Sequence, residues 1–184
     1  MILISIGANL PGPGGQAPLE TCRQAVAALN CMPEVRVEAL SRWYETAPLL
    51  PQSIAQDPQL PFVNAVVRLL VEPEAQIDPA VLLDRLMQLE AAAGRVRETA
   101  YAPRPLDLDI IAIDAMVRDS PDPILPHPRA HERAFVLVPL AEVAPGWVHP
   151  RLHQTVAELI AALPPQDIRP LPGSPQEPMA SRLG

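Results

Sequence analysis

Two aspartates one residue apart, Asp107 and Asp109, stand in the otherwise apolar run "APRPLDLDII" (102–111), just after Arg104. Aspartate is a poor strand former, and like charges on one strand face repel. In a strand, residues two apart share a face, with Cα atoms ~6.5–7 Å apart. Asp107 and Asp109 then project together, while Leu106, Leu108 and Ile110 face the other way. Taken alone, "DLD" fits the solvated side of a half-buried sheet. The flanks point to chemistry instead. "GRVRETAYAPR" (94–104) carries Arg95, Arg97 and Arg104, and "PHPRAHERAF" (126–135) carries His127, Arg129, His131 and Arg133. Mg²⁺ prefers one or two carboxylates plus substrate phosphates, and guanidinium groups hold phosphate oxygens. Carboxylates and arginines together are the equipment of phosphoryl transfer, which is largely positioning and charge neutralisation.

Composition narrows how such a site can work. All fourteen basic residues of the 184 are arginine, so neither a Walker-type lysine loop nor Schiff-base chemistry is available. The net charge of −7 argues against general nucleic-acid binding, although an anionic substrate needs only a local cationic cluster. Cys22 and Cys31, set along one predicted helix end, read as reduced thiols. "MILISIGANL" is too short and lacks the basic start of a signal peptide, and no apolar stretch reaches the length of a membrane span. A cytoplasmic monomer acting on small molecules, with no nucleic-acid or membrane partner, is the expectation.

Other candidate sites are weaker. His127 and His131 are four apart, as are His149 and His153, but Pro128 and Pro150 interrupt the spacing and no cysteine or acid completes a zinc set. His131, His149 and His153 read as surface histidines. Ser5 has no visible His-Asp partners, and "GPGG" (12–15) is not followed directly by a capped helix.

The elements that must position the aspartates follow from periodicity. "ILISIG" (2–7) is a first strand and 18–30 a helix, with Leu19, Cys22, Val26 and Leu29 at helical spacing. Alternation of Val35, Val37 and Ala39 predicts a second strand within 34–46, followed by a Pro-rich loop (47–61). "PFVNAVVRLLV" (61–71) is a third strand. Asp78-Pro79 starts a helix that Gly94 stops. "PLDLDIIAI" (105–113) is a fourth strand. Residues 129–143 read as a helix disturbed by Pro139, and 153–163 as a last short helix. The β-α-β-β-α-β order predicts an α+β, ferredoxin-like fold, with an antiparallel sheet, helices packed on it and additional C-terminal helices. One domain spans 1–163, and 164–184 reads as a Pro-rich, disordered tail. From the residues alone, a Mg²⁺-dependent phosphohydrolase or nucleotidyltransferase stays open. So does a non-catalytic ferredoxin-like binding module, which the acidic fourth strand disfavours.

A set of motifs carries a more specific indication. The segments "ISIGANL" (4–10), "WYETAPL" (43–49), "FVNAVV" (62–67), "LEAAAGRVR" (89–97), "PRPLDLDII" (103–111) and "PHPRAHERAFVLVPLAEVAP" (126–145) together resemble, in order, the 6-hydroxymethyl-7,8-dihydropterin pyrophosphokinases of folate biosynthesis. The resemblance implies transfer of pyrophosphate from ATP to the hydroxymethyl group of the dihydropterin, with release of AMP. It implies two Mg²⁺ ions held by Asp107 and Asp109. Arg95 and Arg104 would act on the triphosphate as the catalytic arginines, with Glu90, His127 and Arg133 as further ATP contacts. The pterin would stack between Phe62 and Phe135, with Thr46, Leu49 and Asn64 at its polar edge. The chain departs from the family pattern at Leu50-Pro51, in the long "LLPQSIAQDPQLP" segment, at Glu98 and at Tyr101-Ala102.

Overall fold

The computed structural model describes residues 1–48, 60–96 and 102–172. Its centre is a six-stranded antiparallel sheet built from β1 (Ile2–Ala8), β2 (Val35–Leu40), β3 (Tyr44–Thr46), β4 (Phe62–Val71), β5 (Asp107–Ile113) and β6 (Ile168–Pro170). The strand order is β5-β1-β4-β3-β6, with β2 also paired to β4. Helices α1 (Pro18–Asn30) and α2 (Pro79–Ala92) are the crossovers of the predicted ferredoxin-like arrangement, and α3 (Ala134–Val143) and α4 (Val156–Ala162) follow it. Among the described residues, no helix is long and apolar enough to cross a membrane.

Local chemistry explains each helix end. Pro18 opens α1 at a position that needs no N–H. The Asp78 side chain accepts the Ala80 N–H at 2.8 Å, and Pro79 begins α2. Thr155 and Glu158 form a reciprocal capping box that starts α4. That box places the helix start at Val156 rather than at residue 153.

The sheet has two unlike faces. Ile2, Ile4, Ile6, Ala65, Val67, Leu69, Leu108 and Ile110 pack in one core with Cys22, Leu29, Leu82 and Leu86 of α1 and α2. Each such aliphatic side chain contributes ~1.5–3 kcal/mol on burial. On the opposite face Leu3, Val66 and Ile111 meet Val136, Leu137 and Leu140 of α3. That second layer covers only part of the face. The remainder carries Ser5, Gly7, Asn64, Asp107 and Asp109 and forms the floor of a cavity.

Three expectations need correction. The strand expected over 34–46 is two strands, because the Ser41 hydroxyl takes the Val66 N–H and Arg42 turns away to bind Glu142 through its N–H and its guanidinium. Pro139 does not break its helix: α3 runs through it, with Pro139 buried among apolar neighbours whose packing outweighs one missing N–H donor. Within the segment expected to be a disordered tail, Ile168–Pro170 pairs with β3, Arg169 bonds Glu45, and the Leu171 N–H bonds the Trp43 carbonyl. Residues 173–184 of that segment lie outside the described residues.

Candidate active site

A cavity of about 670 Å³ opens at the uncovered part of the sheet. Strand register builds its floor. Asp107 lies opposite Gly7, and Gly7 opposite Asn64. Asp109 lies opposite Ser5, which is opposite Val66. Asp107 and Asp109 therefore do project from one face, each partly exposed to the cavity. Gly7 is required for space: a Cβ there would stand 2.9 Å from Asn64 Oδ1. The buried Asn64 donates from Nδ2 to Thr46 Oγ1 at 2.7 Å, so two of the expected pterin-edge residues are already hydrogen-bonded to each other.

Cationic groups surround the carboxylates. Arg95 Nη1 lies 2.5 Å from Asp107 Oδ1 and 2.5 Å from Glu90 Oε1, and Arg104 Nη1 lies 3.1 Å from the same Asp107 oxygen. Glu90 is 2% exposed and continues the buried stripe Leu82–Leu86 of α2. Its carboxylate also accepts the Leu108 N–H at 2.8 Å, on the outer edge of β5. Arg104 Nε is buried without a hydrogen-bond partner among the described residues, leaving a donor for an anionic ligand.

His127 stands 3.9 Å from Asp109, Nε2 to Oδ2. Its Nδ1 accepts the Arg129 N–H at 3.2 Å, which assigns the proton to Nε2 and directs it at the carboxylate. Burial pushes His127 below its ordinary pKa, against the pull of Asp109. Burial pushes Asp109 upward, and the Asp107 charge adds to it, against His127, Arg133 and Arg104. A cation at the two carboxylates would offset the burial and the mutual repulsion that raise Asp109, and would push His127 lower still. Two hard oxygen donors on one face, under mutual repulsion and beside guanidinium and imidazole groups, fit the donor set that Mg²⁺ takes with a nucleotide.

The two phenylalanines of the chain both line the cavity, half-buried. The Arg104 guanidinium carbon lies 5.9 Å from the centre of the Phe62 ring, and that of Arg133 lies 5.4 Å from the Phe135 ring. Each aromatic wall is thus coupled to a cation that also faces the carboxylates. Thr46, Phe62, Asn64, Glu90, Arg95, Arg104, Asp107, Asp109, His127, Arg133 and Phe135 all border this one cavity. Leu49 and Arg97 lie outside the described residues.

Sequence reasoning missed several cavity residues. Ser5, Gly7, Leu83, Met87, Asp122 and Ile124 also border it. Gly7 had a signal in "ISIGANL", where a glycine closes a strand, but the reason for it is a neighbour fifty-seven residues away. The histidine reading also needs one correction. His149 is buried, 3% exposed, with Nδ1 accepting the Arg151 and Leu152 N–H groups in a tight turn.

Comparison with known proteins shows the family of the chain. The pattern of the family described as 7,8-dihydro-6-hydroxymethylpterin-pyrophosphokinase matches residues 3–145. A 2-amino-4-hydroxy-6-hydroxymethyldihydropteridine pyrophosphokinase of Pseudomonas aeruginosa is 37% identical over 94% of this chain and 98% of its own. Proteins of the same name from Synechocystis and Methylorubrum extorquens are 35% and 39% identical, over 86% and 78% of this chain and 73% and 84% of theirs. Among solved structures, the Plasmodium falciparum HPPK-DHPS has a TM-score of 0.58 at 14% identity. That match covers 87% of this chain and 43% of the Plasmodium chain, and it supports the fold alone.

Proposed function

The chain belongs to the 7,8-dihydro-6-hydroxymethylpterin-pyrophosphokinase family, and from that premise we propose how its cavity transfers pyrophosphate from ATP to 6-hydroxymethyl-7,8-dihydropterin. The hydroxymethyl oxygen of the pterin attacks the β-phosphorus of ATP. The bond from that phosphorus to the oxygen bridging to the α-phosphate breaks, AMP departs, and the hydroxyl proton leaves to solvent. The observation that carries this reading is the convergence of two carboxylates, two phenylalanines and the side chains of Arg95, Arg104, His127 and Arg133 on one cavity.

Two Mg²⁺ ions, when bound, would neutralise the triphosphate and orient its oxygens, with Asp107 and Asp109 as their protein ligands. Arg104 reaches both Asp107 and the Phe62 ring, which supports a guanidinium position between the two substrates. There it stabilises the charge that develops on the leaving α-phosphate oxygen. Arg95, released from Asp107, adds a second guanidinium to the triphosphate, and Arg133 and His127 fix its other side. Phe62 and Phe135 hold the flat heterocycle by stacking, while Thr46, Leu49 and Asn64 read its polar edge. No covalent enzyme intermediate is required, because positioning and charge compensation suffice. The protein works on small molecules, as a monomer in the cytoplasm.

Product analysis tests the reading. Incubation with Mg-ATP and 6-hydroxymethyl-7,8-dihydropterin should release AMP in step with pterin diphosphate. Release of ADP, or turnover of ATP that does not need the pterin, would reject diphosphoryl transfer.

A further inference from the structure

Asn9 lies immediately after β1 and is fully buried. Its Oδ1 accepts the Arg104 N–H at 2.8 Å. Its own N–H and that of Leu10 return to the Arg104 carbonyl, at 3.0 and 3.1 Å. Its Nδ2 donates to the Leu60 carbonyl at 3.1 Å. The network fixes the amide orientation, since a backbone N–H needs the oxygen and a carbonyl needs the NH₂.

These bonds join two points that are remote in sequence. Leu60 leads, two residues on, into Phe62 at the start of β4. Arg104 leads, three residues on, into Asp107 at the start of β5. Both points are therefore the entries to strands that carry the aromatic wall and the carboxylates. The Arg104 side chain also spans them, 3.1 Å from Asp107 and 5.9 Å from the Phe62 ring centre. A carboxamide offers an acceptor and a donor one bond angle apart, which neither serine nor leucine of similar size can do.

We propose that Asn9 is a positioning residue for pyrophosphoryl transfer: its carboxamide sets the Arg104 segment against the Phe62 segment, and so sets the attacking hydroxyl against the triphosphate. This inference rests on the substrate assignment above. Asn9 touches neither substrate in that assignment. It acts through the backbones of Arg104 and Leu60. Misplacement of reacting groups by about 1 Å costs on the order of 10²-fold in rate, so a modest relaxation at Asn9 reaches turnover.

The test compares Asn9→Ala, Asn9→Asp and a control, Asn30→Ala. Asn30 makes a similar bond, Oδ1 accepting the Val37 N–H at 2.9 Å, away from the cavity. Each variant is assayed for kcat and for both KM values at 25 °C, with folding checked by circular dichroism. Asn9→Ala should lower kcat by about 10²-fold while folded, and Asn30→Ala should stay within about twofold of wild type. Asn9→Asp keeps an acceptor for the Arg104 N–H and loses the donor to Leu60. It should retain kcat within about tenfold and raise the pterin KM by about tenfold, leaving the ATP KM less affected. If Asn9→Ala does not fold, the split in Asn9→Asp decides alone. Wild-type kcat and KM in folded Asn9→Ala overturns the inference, as does an Asn9→Asp effect confined to the ATP KM or absent from both substrates. Failure of the wild type to release AMP would reject the substrate assignment instead, so the two failures are distinguishable.

Discussion

Glu90 offers the sharpest test of how the aspartate-bearing strand β5 is held. It occupies the third position of a buried α2 stripe, after Leu82 and Leu86, and is 2% exposed. Its carboxylate satisfies the outward N–H of Leu108 and an Arg95 guanidinium nitrogen. Glu90→Ala leaves the buried N–H unpaired, at a cost of about 1–3 kcal/mol, and removes a charge-assisted bond of about 1.5–3 kcal/mol. Arg95 keeps Asp107, so the second loss is partial, and a total near 3 kcal/mol is expected. For a chain of this length that lowers Tm by ~6–12 °C. Glu90→Gln retains an acceptor for Leu108 and should lower Tm by only ~2–4 °C. Asp107→Ala shares the same Arg95 partner but relieves repulsion with Asp109 on a partly exposed face. It should shift Tm by no more than ~3 °C and abolish most turnover. Thermal melts followed by circular dichroism, with AMP release measured in parallel, separate the cases. A Glu90→Ala melt within about 2 °C of wild type would refute the role assigned to this carboxylate.

Arg104→Ala should lower kcat by about 10²-fold or more, with the ATP KM changed much less, because its contact strengthens as charge develops; stopped-flow and steady-state assays together check this, and an effect confined to KM contradicts it. Cys22 is buried and its thiol is pushed up to about 12, whereas Cys31 is exposed. Iodoacetamide at pH 8 should label Cys31 alone in the native protein, with Cys22 joining it only in denaturant, as peptide mass spectrometry would report. Burial, then the hydrogen bond to Glu142, pushes Tyr44 from 10.0 to about 12. A phenol raised in the folded state stabilises fully below the unfolded value and loses that contribution as pH climbs through the folded one. Urea midpoints should therefore fall between pH 10 and 12, and Tyr44→Phe should flatten that fall.

The aspartate pair was legible because a strand's period is two: identity and spacing alone put Asp107 and Asp109 on one side. The order of the main elements was equally legible, from apolar periodicity punctuated by Gly7, by the helix start Asp78-Pro79 and by the helix stop Gly94. What local pattern missed depends on partners distant in the chain. The break between β2 and β3 comes from Ser41 meeting Val66 and Arg42 meeting Glu142, a hundred residues on. Ile168–Pro170 lacks an apolar run and becomes a strand only because β3 offers it a free edge. Pro139 stays helical because packing against the sheet outweighs its missing donor. Glu90 had a local signal, since it falls at the next stripe position after Leu82 and Leu86, but its meaning as a cap on β5 needed the fold. Asn9 gave none: a polar residue after a strand reads as a loop, and its two partners, Arg104 and Leu60, cannot be inferred from its neighbours.

The division of the sheet into two faces has a consequence for how such a chain can change. The larger of the two cores lies where Ile2, Ile4, Ile6, Val67 and Leu69 meet α1 and α2, while the groups lining the cavity rise from the reverse side of the same strands. Conservative exchanges among those aliphatics can retune robustness to heat while leaving substrate handling intact, because a strand hands alternate side chains to separate compartments. Thermal hardening and catalytic retuning can thus proceed as independent projects on one backbone.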